Sequence, residues 1–171
     1  MTIIGITGLT GVGKNYIADT LFPNAIKVDV DKIGYAALDN PDVLCAVKSE
    51  LGDFDRKELG DILFCNRRKY HKFVEIVWPK MESLIQERFD SHKIEQDLVI
   101  NWLLLPKTKF WDMCDIKILI ERPDGARRFS LYDRDQIGDK RINQRDDHSP
   151  NFSEYTYTFV IQNKHTTSPL L

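Results

Sequence analysis

Residues 3–21 read Ile3-Ile4-Gly5-Ile6-Thr7-Gly8-Leu9-Thr10-Gly11-Val12-Gly13-Lys14-Asn15-Tyr16-Ile17-Ala18-Asp19-Thr20-Leu21. An apolar, β-branched run leads into Gly8-x-x-x-x-Gly13-Lys14, and a helical stretch follows. A strand, a glycine loop and a helix in this order make an anion-binding nest, because glycines let successive backbone N–H groups turn inward. Gly8, Gly11 and Gly13 supply that freedom, and the helix from Lys14 aims its N-terminal amides and positive dipole end at the same anion. The backbone of Gly8, Thr10, Gly11, Val12, Gly13 and Lys14 is therefore the candidate phosphate cradle. Lys14 adds a mobile charge for the outer phosphates. The pattern wants Ser or Thr after the lysine, whose hydroxyl ligates Mg²⁺. Here that position is Asn15, a candidate ligand of altered chemistry. A glycine-rich turn that binds nothing is the plainer alternative, and the strand-before, helix-after context argues against it.

Working outward, strand and helix signals alternate. Ala25–Val30 reads as a second strand closed by Asp29-Val30-Asp31, and period-two alternation would set Asp29 and Asp31 on one side. Asn40-Pro41 looks like an N-cap with proline at the first helical position. Over residues 66–92, Tyr70, Phe73, Val74, Val77, Met81, Leu84 and Ile85 fall at spacings of three and four, one apolar helix face. Pro79 predicts a kink there or two abutting helices. Leu98–Leu105 is a near-continuous apolar run, as in a strand buried on both faces. Asp115–Ile120 and Thr158–Gln162 read as the fourth and fifth strands. Five strands separated by helices predict an α/β fold with a five-stranded parallel sheet, whose ligands bind beyond the carboxyl ends of the strands.

With 171 residues the chain is most simply one domain. Its net charge of −2 gives no general drive toward nucleic acid or anionic membranes. The beginning of the chain reads as a core strand rather than a signal segment, and no apolar run approaches a membrane span, so a cytoplasmic protein is expected. Cys45, Cys65 and Cys114 match no metal-ligand spacing and read as free thiols. His71, His92, His148 and His165 share no spacing and read as surface or packing residues. Trp102 and Trp111 could line a pocket or pack the core.

Two further clusters carry possible chemistry. Near a phosphate loop, a carboxylate at Asp29 or Asp31 can accept the proton of an acceptor hydroxyl; a solvated turn or a helix cap is the alternative. Arg127, Arg128, Arg134, Lys140, Arg141 and Arg145 form a basic stretch suited to phosphate oxygens and to closing over a nucleotide, so residues 127–150 are the candidate lid. Because Asp133, Asp135, Asp139, Asp146 and Asp147 nearly balance that charge, a solvated helix face is the alternative.

Taken together, residues 4–14 (Ile-Gly-Ile-Thr-Gly-Leu-Thr-Gly-Val-Gly-Lys), 28–33 (Val-Asp-Val-Asp-Lys-Ile), 54–59 (Phe-Asp-Arg-Lys-Glu-Leu), 62–64 (Ile-Leu-Phe), 77–79 (Val-Trp-Pro), Leu104-Leu105, the arginine-rich stretch with Gln144, and 160–163 (Val-Ile-Gln-Asn) resemble the dephospho-CoA kinase family. The resemblance runs from Ile3 to about Asn163. It implies a three-layer P-loop kinase fold with a helical substrate region at 32–90 and a lid. The implied reaction moves the γ-phosphate of ATP to the ribose 3′-hydroxyl of dephospho-CoA with Mg²⁺. By resemblance Asp31 is the candidate base, Lys14 the phosphate ligand, Arg141 and Arg145 the lid arginines, and Asn163 lies near the base pocket. A nucleoside or nucleotide kinase on the same scaffold, or a nucleotide-binding protein of weakened chemistry, are the alternatives. The implied partner is a small molecule, with no nucleic acid or membrane.

The sequence also departs from the family. Asn15 replaces the metal-binding hydroxyl, Asn101 stands for a usual Asp, Leu103 for Pro, Lys107 for Glu, Tyr35 for Arg and Trp78 for His. The family's final helix is expected to be short or absent. Both asparagines fall where hard-cation chemistry is implied, so weakened metal binding is expected.

Overall fold

A computed structural model describes residues 2–55, 58–91 and 96–164. The expectations for His92, His165 and the family's final helix lie outside the described residues. The chain divides into two compact units, Met1–Val28 with Lys93–Leu171 and Asp29–His92.

The first unit is built on an all-parallel five-stranded sheet of order β2-β3-β1-β4-β5. Its strands are β1 (Ile3–Thr7), β2 (Ile26–Asp29), β3 (Leu98–Asn101), β4 (Ile116–Glu121) and β5 (Phe159–Gln162). The central strand β1 pairs with β3 on one side, Ile6 opposite Asn101, and with β4 on the other, Thr7 opposite Leu119. The chain leaves β1 toward one edge of the sheet and later returns to its other side, so β1 ends at the topological switch point where parallel sheets open a crevice. Burial on both faces selects the β-branched run: Ile4, Ile6, Val99, Ile118 and Ile120 form its core with Val12 and Ala18. Ala18 belongs to α1 (Lys14–Leu21), whose small buried face lets that helix lie close to the sheet. After β3 come the short α6 (Lys109–Asp112) and, beyond β4, α7 (Asp124–Asp135) and α8 (Asp139–Asp146).

β3 is shorter than its apolar run predicts. The strand stops at Asn101, and Leu105 and Pro106 are buried in a 3-10 turn instead. Pro106 has no N–H for a ladder, and Trp102 gives its own amide to the Ile6 carbonyl at 3.0 Å as the chain turns away.

The second unit is helical: α2 (Val30–Leu38), α3 (Pro41–Leu51), α4 (Leu59–Phe64) and α5 (Arg67–Asp90). Asn40 caps α3 by accepting from Asp42 and Val43 amides, with Pro41 in the first turn, as its sequence predicts. The apolar face of α5 packs Val77, Tyr70, Phe73, Met81 and Leu84 with Ala37, Leu38, Val47 and Leu51. Instead of two helices there is one, running through Pro79. The missing amide forfeits only the bond to the turn before it, and the apolar face on either side holds the two halves to one core. Among the described residues no helix is long and apolar enough to cross a membrane.

Candidate phosphate-binding site

The loop between β1 and α1 is shaped by where its carbonyls go. Gly8, Gly11 and Gly13 have φ of 143°, 87° and 92°, a region that L side chains rarely adopt. The Nζ of Lys14 donates to the Gly8 and Leu9 carbonyls at 2.9 and 3.1 Å. Arg127 donates to the Thr10 carbonyl at 3.1 Å and Arg122 to the Gly11 carbonyl at 3.3 Å. The buried amide of Asn163 donates to the Val12 carbonyl at 2.7 Å. In a trans peptide the N–H points away from the C=O. Tying down the Thr10 and Val12 carbonyls therefore turns the Gly11 and Gly13 amides to the opposite side of the chain.

Close packing fixes the same shape. A Cβ on Gly8 would lie 2.3 Å from the Ile120 carbonyl oxygen, and one on Gly13 would lie 2.5 Å from Asn163 Nδ2. A Cβ on Gly11 would meet Leu131 of α7 at 2.7 Å. Helix α1 then starts with Gly13 as N-cap, and neither a capping side chain nor an acidic residue occupies its first turn. A positive helix end with no acidic residue in its first turn, beside turned-out amides, is an arrangement that favours an anion. Asn15 is exposed in that first turn. Its amide oxygen is a hard but uncharged donor, which fits Mg²⁺ only where phosphate oxygens and water complete the shell. No cluster of three His, Cys, Asp or Glu able to hold a metal exists among the described residues.

Beside the loop a cavity of about 300 Å³ is lined by Leu9, Val12, Arg122, Pro123, Phe152 and Gln162, among others. Glu121 and Gln162 are hydrogen-bonded across the ends of β4 and β5.

The carboxylate pair differs from its expectation. Asp29 ends β2, but Val30 and Asp31 already belong to α2, so the two do not alternate along one strand. Asp29 takes the capping alternative: its carboxylate accepts from the Lys32 amide at 3.0 Å. Asp31 is exposed in the first turn of α2, where a negative charge complements the helix dipole.

The basic stretch is two helices, and acids pair with four of its arginines. Arg127 is buried and bonded to Asp124 and Asp146. Burial pulls its guanidinium down, and the bonds it donates to Asp146 and Asp124 outweigh that and raise it. Arg128 bonds Asp124, Asp139 and Asn143, joining α7 to α8. Arg134 pairs with Asp135 and holds that carboxyl below its ordinary value. Arg145 lies 3.7 Å from Asp135, and it and Arg141 are half-buried on α8. Leu131, Ile137 and Ile142 pack the two helices together.

Two residues that serve the loop escape a motif reading. Arg122 stands directly after β4, where the carboxyl ends of parallel strands collect ligands, and this position is the signal that marks it. Arg127 stands in the stretch read as a lid, and what that reading misses is its buried tie to the Thr10 carbonyl and to acids three and nineteen residues away. Cys114 is buried, and burial pushes its thiol up to about 12, which leaves it inert near neutral pH.

No family model matches the chain. It is 28% identical over 133 residues to the dephospho-CoA kinase of Thermobifida fusca, covering 72% of this chain and 66% of that protein. With the dephospho-CoA kinase of Fusobacterium nucleatum it shares 29% identity over 145 residues, 79% of this chain and 74% of the other. Among solved structures, the Thermus thermophilus protein TT1252 superposes with a TM-score of 0.78 at 21% identity, over 96% of this chain and 90% of that one. A dephospho-CoA kinase from Campylobacter jejuni gives 0.54 at 20% identity, over 95% and 88%. The chain is a divergent relative of the dephospho-CoA kinases.

Proposed function

We propose that the protein is an ATP-dependent kinase that phosphorylates the ribose 3′-hydroxyl of dephospho-CoA. The observation that carries this reading is the loop whose Thr10, Gly11 and Val12 carbonyls are held by Arg127, Arg122 and Asn163, which turns the Gly11 and Gly13 amides to the other side, toward a polyphosphate. The similarity to enzymes named dephospho-CoA kinase supplies the acceptor. In this reading the backbone of 8–14 cradles the ATP phosphates. Lys14 exchanges its bonds to the Gly8 and Leu9 carbonyls for the outer phosphates, and Arg141 and Arg145 spread the transferred charge. Asp31 takes the acceptor proton as the hydroxyl oxygen bonds to the γ-phosphorus and the bond to the ADP oxygen breaks. Asn15 would hold Mg²⁺ by its amide oxygen; the ion, when bound, neutralises phosphate charge. Asn163 orders the loop from behind and borders the nucleotide.

Tyr35 favours a second reading. It is 59% exposed on α2, and an exposed aromatic ring suits stacking on the base of a nucleoside acceptor better than gripping a phosphate. The test is turnover of ATP with dephospho-CoA by the purified protein over a range of Mg²⁺. Equal amounts of ADP and coenzyme A are expected, with Asn15→Thr lowering the Mg²⁺ needed for half-maximal rate. Turnover only with another nucleoside or nucleotide would replace the acceptor. ATP binding without transfer to any acceptor would replace the enzyme by a nucleotide-binding protein.

A further inference from the structure

Arg127 is the one buried charged side chain among the described residues, 1% exposed, and it cannot reach a ligand in solvent. Its bonding is complete. Nε and Nη2 donate to Asp124 Oδ1 at 3.2 and 2.7 Å. Nη1 and Nη2 donate to the two oxygens of Asp146 at 3.1 and 2.6 Å, a bidentate fork. Nη1 also donates to the Thr10 carbonyl at 3.1 Å. A guanidinium has five N–H donors, and here each has an acceptor. Three separate pieces of chain meet on this one group: the phosphate loop, the first turn of α7 through Asp124, and the last residue of α8, Asp146. The contact is tight, since a Cβ on Gly11 would lie 3.1 Å from Arg127 Cγ.

We propose that Arg127 is a positioning residue for polyphosphate binding: locked by Asp146 and Asp124, it fixes the Thr10 peptide and makes the affinity of the loop depend on the seating of α8. The inference rests on the reading that the loop holds the phosphates of ATP. It separates cleanly from simple electrostatics. Asp146 is an anion in the same unit as an anion-binding loop, so removing its charge would tighten phosphate binding by Coulomb's law alone. The positioning role gives the opposite sign, because without the fork the guanidinium no longer holds the Thr10 carbonyl in place.

The experiment is calorimetric titration of the full-length wild type, Asp146→Asn, Asp146→Glu and Arg127→Lys with ATP and with inorganic tripolyphosphate, alongside thermal melts and steady-state kinetics. Asp146→Asn and Arg127→Lys are expected to weaken both ligands by a similar factor, roughly tenfold for the loss of a charge-assisted bond. Asp146→Glu should recover part of that loss. In turnover the KM for ATP should rise while kcat changes little, since Lys14 and Asp31 are intact. Asp146→Asn that folds and binds tripolyphosphate as tightly as the wild type, or more tightly, overturns the proposal. So does a lower melting temperature with unchanged affinity, which assigns Arg127 to packing alone. If Arg127→Lys does not fold, Asp146→Asn decides, since it keeps the arginine bonded to Asp124. A wild type that binds neither ligand overturns the phosphate reading of the loop itself, a result distinct from both.

Discussion

The phosphate loop and the α7–α8 pair are the two regions richest in donors, and they hold them differently. In the loop the donors are backbone amides, set by three glycines with positive φ and by carbonyls tied down on the far side of each peptide. In α7 and α8 the donors are side chains, and Arg127, Arg128 and Arg134 are bonded to the acids of the same two helices. Backbone donors stay directed wherever the fold is intact. Side-chain charge counts toward a ligand only after the pairing inside the protein is subtracted. The basic stretch is thus first a fastening between helices, Arg145 included through Asp135, and a lid role for Arg141 and Arg145 would draw on side chains that already have contacts within the protein.

The comparison is broken most severely at Lys14. Lys14→Met should lower turnover by roughly a hundredfold or more, the scale for removing one donor aimed at developing charge, read as ADP formation at saturating ATP. Tripolyphosphate binding should survive in part, because the amides remain; complete loss would make the lysine rather than the backbone the main phosphate ligand.

A smaller effect tests the backbone directly. Gly13→Ala puts a Cβ at a φ of 92° and 2.5 Å from Asn163 Nδ2. Strain of about 1–3 kcal/mol is expected, seen in chemical denaturation together with weaker ATP binding. Unchanged stability and affinity would show that the loop does not need its glycine geometry.

The smallest effect lies at the outer end of α7. Arg134 and Asp135 are paired at the surface, so Arg134→Ala should change stability by no more than ~1 kcal/mol. Its signature is in pH. The bond from Arg134 lowers the Asp135 carboxyl; burial opposes it, and the charges of Arg134 and Arg145 add to the lowering. A lowered carboxyl contributes stability that is present above the unfolded value near 4 and lost as pH falls through the folded one. Melts from pH 6 to pH 3 should therefore fall more steeply in the wild type than in the variant. Parallel curves would mean that the pair contributes nothing.

What was legible in the sequence follows the same division. The loop, the Asn40-Pro41 cap and the apolar face of α5 are local patterns, and their chemistry acts within a few residues. In Asp29-Val30-Asp31 the strand does end at Asp29, but the same residue caps a helix that already contains Val30 and Asp31, and a strand-terminal aspartate and a capping one look alike in sequence. What separates them is the Lys32 amide three residues on, accepted by Asp29. The run from Leu98 promised a long strand, yet its second half is buried in a 3-10 turn, and hydrophobicity alone reports burial rather than conformation. The helices α7 and α8 carry charge at so many positions that their apolar seam of Leu131, Ile137 and Ile142 is thin. The burial of Arg127 depends on Asp146 and on Thr10, 117 residues away, and no local pattern encodes it.

That separation has a consequence for how the protein is made. The carbonyls of the loop are completed by Arg122, Arg127 and Asn163, at sequence separations of 111, 117 and 151 residues. Contacts so distant are the slowest to form, because the chain between them must be ordered before they give any return. Synthesis runs from the amino end. The phosphate loop is therefore synthesised well before the residues that complete it, and it reaches its working shape only once Asn163, 151 residues beyond Val12, has docked beneath it.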